Sequence, residues 1–216
     1  MSVLLFDPIT HTYTVDGVKK ISVTQVFNRV ATRSNDKDDF QSVSGSEFYR
    51  FDESRDFGNE FHKVAGFTVS DVSCSYDPVM QPWVNGLNKF LTEKELMDFI
   101  TERNFADIYD VEKPLYSKKY DYVGTLDWFF SNIGTALLID WKTGTIMPKL
   151  ARYQTAAYLE LIKENYGLRS NAYRWTVRIF ENGYELEIRK PSDQQSDFNK
   201  FLSLLNVYKS FSKGMK

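Results

Sequence analysis

One cysteine, Cys74, stands in 216 residues, which excludes an internal disulfide and any metal centre built from cysteine thiolates. Basic and acidic residues nearly cancel, 27 against 29 for a net charge of −2. The chain is therefore no polycation that coats nucleic acid, and any phosphate contact has to come from a local patch of Lys and Arg. No apolar run approaches the ~18 residues that suggest a membrane-crossing helix. Met1-Ser2-Val3-Leu4-Leu5 carries no signal-peptide pattern, so an intracellular protein without a membrane partner is expected. Internal repeats and low-complexity tracts are absent, and only the SNDKDD stretch at 34–39 is polar enough to read as a mobile loop.

What is present is ordinary in bulk. Hydrophobic residues make up 42% and charged residues 26%, the balance of a globular chain long enough for one domain with a sizeable core. Aromatics are plentiful, with 17 Phe and 13 Tyr, which serve either core packing or stacking on bases.

Local patterns divide the chain. Residues 3–21 alternate around Asp16-Gly17, a hairpin signal, and Ser22 caps a helix running to Ala31. His11 in that hairpin reads as structural. A helix over about 47–67 carries Phe57, Phe61, Val64 and Ala65 on one stripe, with Gly58 and His62 sharing another face. After a loop to Pro78 come a helix from 79 to 91 and a helical piece over 96–103, then an edge strand ending near Glu112. A Lys-containing turn, Tyr116-Ser117-Lys118-Lys119-Tyr120, follows. Later, a helix spans 150–165 and ends at Gly167, strands 171–180 and 184–190 flank Glu181-Asn182-Gly183, and a last helix begins at Pro191-Ser192. These patterns give one domain, with residues 1–50 as an N-terminal hairpin-and-helix appendage, 52–190 as the core, and 191–216 as a C-terminal helix.

The stretch 121–144, DYVGTLDWFFSNIGTALLIDWKTG, reads as two apolar strands joined at Ser131-Asn132-Ile133-Gly134. Asp127 lies within the first strand, and Asp140 and Lys142 close the second. Residues two apart in a strand point the same way. With Phe130 opposite Thr135, Asp127 falls opposite Leu138, on the face of Asp140 and Lys142. The two carboxylates then form a diagonal pair with backbones about 7–8 Å apart, close enough to share a cation. Two carboxylates and an ammonium among apolar side chains read either as an ion-paired trio or as a divalent metal site. Likewise His62 is either a satisfied helix histidine or a ligand. Gln154 and Tyr158, one turn apart on the 150–165 helix, are either its polar edge or part of a site.

Gly124-x-x-Asp127 followed by Ile139-Asp140-Trp141-Lys142-Thr143-Gly144 resembles the core of the PD-(D/E)XK nucleases. Gly58-Asn59-Glu60-Phe61-His62 upstream and Gln154-Thr155-Ala156-Ala157-Tyr158 downstream are similar to two further motifs of the RecB-like branch, which includes phage and recombination exonucleases. The order of all four elements matches, over residues 52–190.

The resemblance implies an α/β restriction-endonuclease-like core, a central mixed sheet flanked by helices. It implies one or two Mg²⁺ or Mn²⁺ ions held by Asp127, Asp140 and the Trp141 backbone carbonyl, with His62 at a second position and Glu112 as a third acidic candidate. Lys142 would orient or deprotonate the attacking water, and Gln154 and Tyr158 would position substrate. Arg152 and Lys149 at the start of the same helix, and Arg174 and Arg178 on the strand after it, would meet phosphates. The four-cysteine iron–sulfur cluster of some relatives is impossible here. The function implied is a metal-dependent DNA exonuclease for recombination, repair or phage DNA processing, with DNA as partner and a homo-oligomer or a recombination protein as a further one. A structure-selective endonuclease shares the same chemistry, and a non-catalytic single-strand-binding protein, including a decayed nuclease, is the remaining alternative.

Overall fold

A computed structural model describes residues 3–7, 10–31, 48–103, 108–132, 135–144, 150–169 and 171–213. The polar stretch at 34–39 and Lys149 lie outside these residues. Three short strands come first: β1 (Leu4–Asp7), β2 (Thr12–Val15) and β3 (Val18–Lys20) form an antiparallel sheet in that order. Asp16 and Gly17 take positive φ at the β2–β3 turn, as a tight hairpin requires. Helix α1 (Val23–Ala31) starts at Ser22, whose hydroxyl accepts from the Gln25 backbone N–H while the Gln25 side chain takes the Ser22 N–H. This reciprocal cap satisfies two donors that a helix start leaves open.

Helices α2 (Phe48–Val69), α3 (Gln81–Leu91) and α4 (Lys94–Arg103) follow, with a short 3₁₀ turn at Pro78–Met80 ahead of α3. The second sheet has five strands in chain order: β4 (Ile108–Ser117), β5 (Tyr122–Asn132), β6 (Thr135–Lys142), β7 (Asn171–Phe180) and β8 (Gly183–Arg189). Only the β6–β7 pair is parallel, and its crossover contains α5 (Ala151–Tyr166), which ends at Gly167 with φ 65°. A 3₁₀ turn at Pro191–Asp193 leads into α6 (Gln194–Lys213). The molecule is thus an α/β protein with a five-stranded mixed sheet flanked by helices.

Each face of the sheet is covered. On one side, Ala136 and Leu138 of β6 and Phe129 of β5 pack with Ala157, Leu161, Phe198 and Phe201 of α5 and α6 and with Val26 of α1. On the other, Leu137, Ile139, Trp141, Trp175 and Val177 pack with Phe61, Leu87 and Phe90 of α2 and α3. Burial on both faces explains why β6 reads as a continuous apolar run instead of alternating.

The central hairpin differs in register from the sequence expectation. Asn132 pairs with Thr135 and Phe130 with Leu137, so only positions 133 and 134 separate the strands, and each β5 residue faces a β6 residue two places further on. A shift of two keeps every side chain on its expected face, because side chains alternate with period two. Continued one step beyond the last pair, Trp128 with Ile139, the register sets Asp127 directly across from Asp140 instead of Leu138.

A second departure lies in β4–β5. Val111 pairs with Trp128 and Lys113 with Leu126, but Glu112 between them has φ 48°. A left-handed residue inside a strand interrupts the alternation. Trp128 faces α2 and α3 whereas Leu126, two residues away, faces α5 and α6.

Candidate metal centre

The β5–β6 ladder stops at Trp128 and Ile139. Beyond it β5 continues to Tyr122 against β4, and β6 continues to Lys142 against β7. The sheet forks there, with Asp127 on one arm and Asp140 on the other. The Trp141 backbone N–H donates to Asp127 Oδ2 at 2.7 Å. A side chain thus replaces the strand partner that the fork has removed, as a buried amide requires.

Helix α2 brings His62 to the same place. Its Nδ1 stands 3.3 Å from Asp127 Oδ1 and 3.7 Å from Glu112 Oε1. Ligand atoms of His62, Glu112 and Asp127 all lie within 4.8 Å of one another. Asp140 is not drawn into that triad. It is 1% exposed, and its Oδ2 lies 2.6 Å from Lys142 Nζ. That ion pair engages Oδ2, while Oδ1 is buried without a hydrogen-bond partner among the described residues.

The surrounding elements fix these positions. A Cβ on Gly124 would come within 2.6 Å of the Tyr158 ring, so only glycine lets that ring lie on β5. Gln154 Nε2 donates to the Tyr158 hydroxyl at 2.9 Å, joining the two residues one turn apart on α5. The close approach of α2 occurs at Gly66, where a Cβ would meet Val111 and Glu112 side chains at 3.2 and 3.3 Å. Gly58 faces only the Thr143 hydroxyl at an ordinary 3.4 Å. The small N-terminal sheet braces both neighbours: Tyr13 Oη lies 2.7 Å from Thr125 Oγ1 on β5, and His11 Nε2 lies 3.3 Å from Asn59 Nδ2 on α2.

Four cations were expected to meet substrate, and the structure sorts them. Arg174 is a correction. It is fully buried, donating to Asp197 at 2.7 Å, to the Arg152 carbonyl at 2.6 Å and to Thr155 Oγ1 at 3.1 Å, so it ties β7 to α5 and α6 and reaches no substrate. Arg178, opposite Lys142 on the neighbouring strand, is held by Glu185 at 2.8 Å and by the Gly144 carbonyl at 3.3 Å. Arg152 lies over the Tyr153 ring at 4.7 Å. Lys149 is outside the described residues.

Burial drives the electrostatics here. It pushes the proton off His62, but the Asp127 carboxylate, its hydrogen bond, and Glu112 more than reverse this and raise His62 to about 10. An imidazolium therefore lies between the two carboxylates. Burial raises Asp140 to about 6, with Lys142 opposing and Asp127 reinforcing that rise. Burial also raises Glu112, against the pull of His62. Asp127 moves the other way: burial pushes it up, but His62, Lys142 and the Trp141 N–H hold it below the usual carboxylate range. Tyr158 is raised well above its ordinary value by burial and then by Asp140 and Asp127, so its hydroxyl keeps its proton.

The two carboxylates and one imidazole of the triad fit a divalent cation that prefers hard oxygen donors, with Asp140 on the neighbouring arm of the fork. Asp140 Oδ1, buried without a hydrogen bond or ion pair among the described residues, is a further sign, since a buried acceptor is costly until something satisfies it. Sequence reading placed Glu112 last among the acidic groups, yet it sits beside His62. Its signal would have been the left-handed backbone, which no residue pattern announces for a glutamate. No protein-family model matches this chain, and no curated protein is significantly similar to it.

Proposed function

We propose that this chain is a divalent-metal-dependent DNA nuclease of the PD-(D/E)XK type, RecB-like in its motifs, acting as an exonuclease at DNA ends or in single strands. The observation that supports it most is the gathering of His62, Glu112 and Asp127 from three elements at the fork, with Asp140 on its other arm ion-paired to Lys142 Nζ at 2.6 Å. Asp127, Asp140 and the Trp141 carbonyl would hold one ion, and His62 with Glu112 would complete a second position. Bound there, Mg²⁺ or Mn²⁺ supplies Lewis-acid polarisation of the phosphate and lowers the pKa of bound water.

The protein groups have separate tasks. Lys142 orients the attacking water, and its charge offsets the negative charge that builds on the phosphoryl oxygens. Gln154 fills a lone pair of the Tyr158 oxygen, which leaves the Tyr158 O–H free to donate to a phosphate oxygen. His62 must give up the proton it shares with Asp127 and Glu112 before its nitrogen can act as a ligand.

The test uses linear single- and double-stranded DNA labelled at the 5′ or 3′ end, and a closed circle, with Mg²⁺, Mn²⁺ or EDTA. Metal-dependent loss of linear DNA that spares the circle and disappears in Lys142→Ala is expected, and the labels give polarity. Cutting of the circle points to an endonuclease, and metal-independent binding without cleavage overturns catalysis.

A further inference from the structure

In the parallel β6–β7 ladder, Asp140 is paired with Thr176 and Lys142 with Arg178. Partners in a ladder point to the same side, and here that is the side of α5, because Trp141, Trp175 and Val177 face α2 and α3. Thr176 is 1% exposed, and its Oγ1 has no hydrogen-bond partner among the described residues. Its strand neighbours on that face are engaged through their terminal nitrogens. Arg174 is tied to Asp197 and Thr155, and Arg178 to Glu185. Besides Arg174 Nε, the buried polar atoms without a hydrogen-bond partner on this face are the Thr176 hydroxyl and, on the adjacent strand, the Asp140 oxygens, of which Oδ2 is ion-paired to Lys142 and Oδ1 is not.

Strand packing does not call for that hydroxyl. Valine has the same branched shape, suits a strand at least as well, and buries no polar atom. A buried hydroxyl with no partner is costly, and each such group in a folded protein needs a reason. One water donating to Asp140 and accepting from Thr176 supplies it, with Lys142 beside it as a further polar group.

We propose that Thr176 is a positioning residue for Asp140. Its O–H donates to an ordered water, which donates in turn to one Asp140 oxygen and fixes the tilt of the carboxylate, so that the other oxygen faces the ion. The proposal rests on the metal-dependent reading of the fork. Partners that orient a ligand in this way change metal affinity about 10- to 100-fold when removed.

The experiment is calorimetric titration of Mn²⁺ into the wild-type protein, Thr176→Val, Thr176→Ala and Thr176→Ser, with the melting temperature of each measured without metal. Thr176→Val and Thr176→Ala are expected to bind Mn²⁺ about 10- to 100-fold more weakly. Thr176→Ser keeps the wild-type affinity, and Thr176→Val melts no lower than wild type. Wild-type affinity in both hydroxyl-free variants overturns the proposal. So does a Thr176→Ser affinity as weak as that of Thr176→Val, which would assign the role to the methyl group. Should one hydroxyl-free variant not fold, the other decides. A wild-type protein that takes up no Mn²⁺ overturns the metal reading itself, a result distinct from unchanged affinity in the variants.

Discussion

Arg174 shows how a residue's type and its role part company. Its position on a strand of alternating Arg and apolar residues suggests a cationic face, yet it is fully buried, clasped by Asp197 with Arg189 on the same carboxylate. Breaking a buried pair costs about 3–5 kcal/mol. Arg174→Ala is expected near the lower end, because Arg189 still holds Asp197. Denaturant unfolding measures the loss, and the rate of the proposed nuclease reaction per folded molecule should be unchanged; a large rate loss with full stability would restore Arg174 to the substrate. At the fork, both shifted groups must lose a proton before an ion binds. His62 is raised from 6.5 to about 10, so its pairing stabilises the metal-free fold fully below 6.5 and that contribution fades as pH climbs through about 10. Asp140 is raised from 3.8 to about 6, so its ionisation takes stability away as pH rises across that interval. An ion needs Asp140 charged and His62 neutral. Mn²⁺ affinity should therefore fall steeply below pH about 6. Near neutral pH, binding should release close to one proton, read by calorimetry in buffers of different ionisation heat; no release would mean that His62 is already neutral.

At the level of elements, most boundaries are legible because the signals are local. The Ser22 cap, the Asp16-Gly17 turn, Gly167 at the end of α5 and Asn182-Gly183 between β7 and β8 each fix their own segment. The Gln154 and Tyr158 pair is also legible, since helical spacing alone puts the two side chains together. What the sequence hides is set by tertiary geometry. The hairpin register depends on pairing along the whole ladder, and the reversal at Glu112 depends on one backbone angle. The burial of Arg174 depends on α6, which lies far along the chain. Gly124 carries an element-level prediction, because it is where α5 meets β5. Gly124→Ala places a methyl 2.6 Å from the Tyr158 ring, and overpacking of this kind costs about 1–3 kcal/mol. Thermal unfolding should show that loss in wild-type background and a smaller one beside Tyr158→Ala, which removes the ring; equal losses in both backgrounds would exclude the clash.

On the scale of the whole molecule, helices α1, α5 and α6 cover one face of the sheet and α2 and α3 the other, and the carboxylates collect where the sheet divides. No helix among the described residues is long and apolar enough to cross a membrane. The N-terminal residues, which the sequence presents as an appendage, are bonded into the site's walls. The Val123 N–H donates to the Ile21 carbonyl at 2.9 Å, and Ser22 bridges Val123 in parallel. Composition could not announce this joint, since it lies between segments about a hundred positions apart in the chain. The account stands or falls on whether the fork is a metal centre. Anomalous diffraction from crystals grown with Mn²⁺ tests that most directly. The account predicts a peak at the fork within bonding distance of Asp127 and Asp140, with His62 turned from its carboxylate partners toward an ion. A peak elsewhere, or none at saturating Mn²⁺ above pH about 6, where Asp140 is ionised, would contradict it.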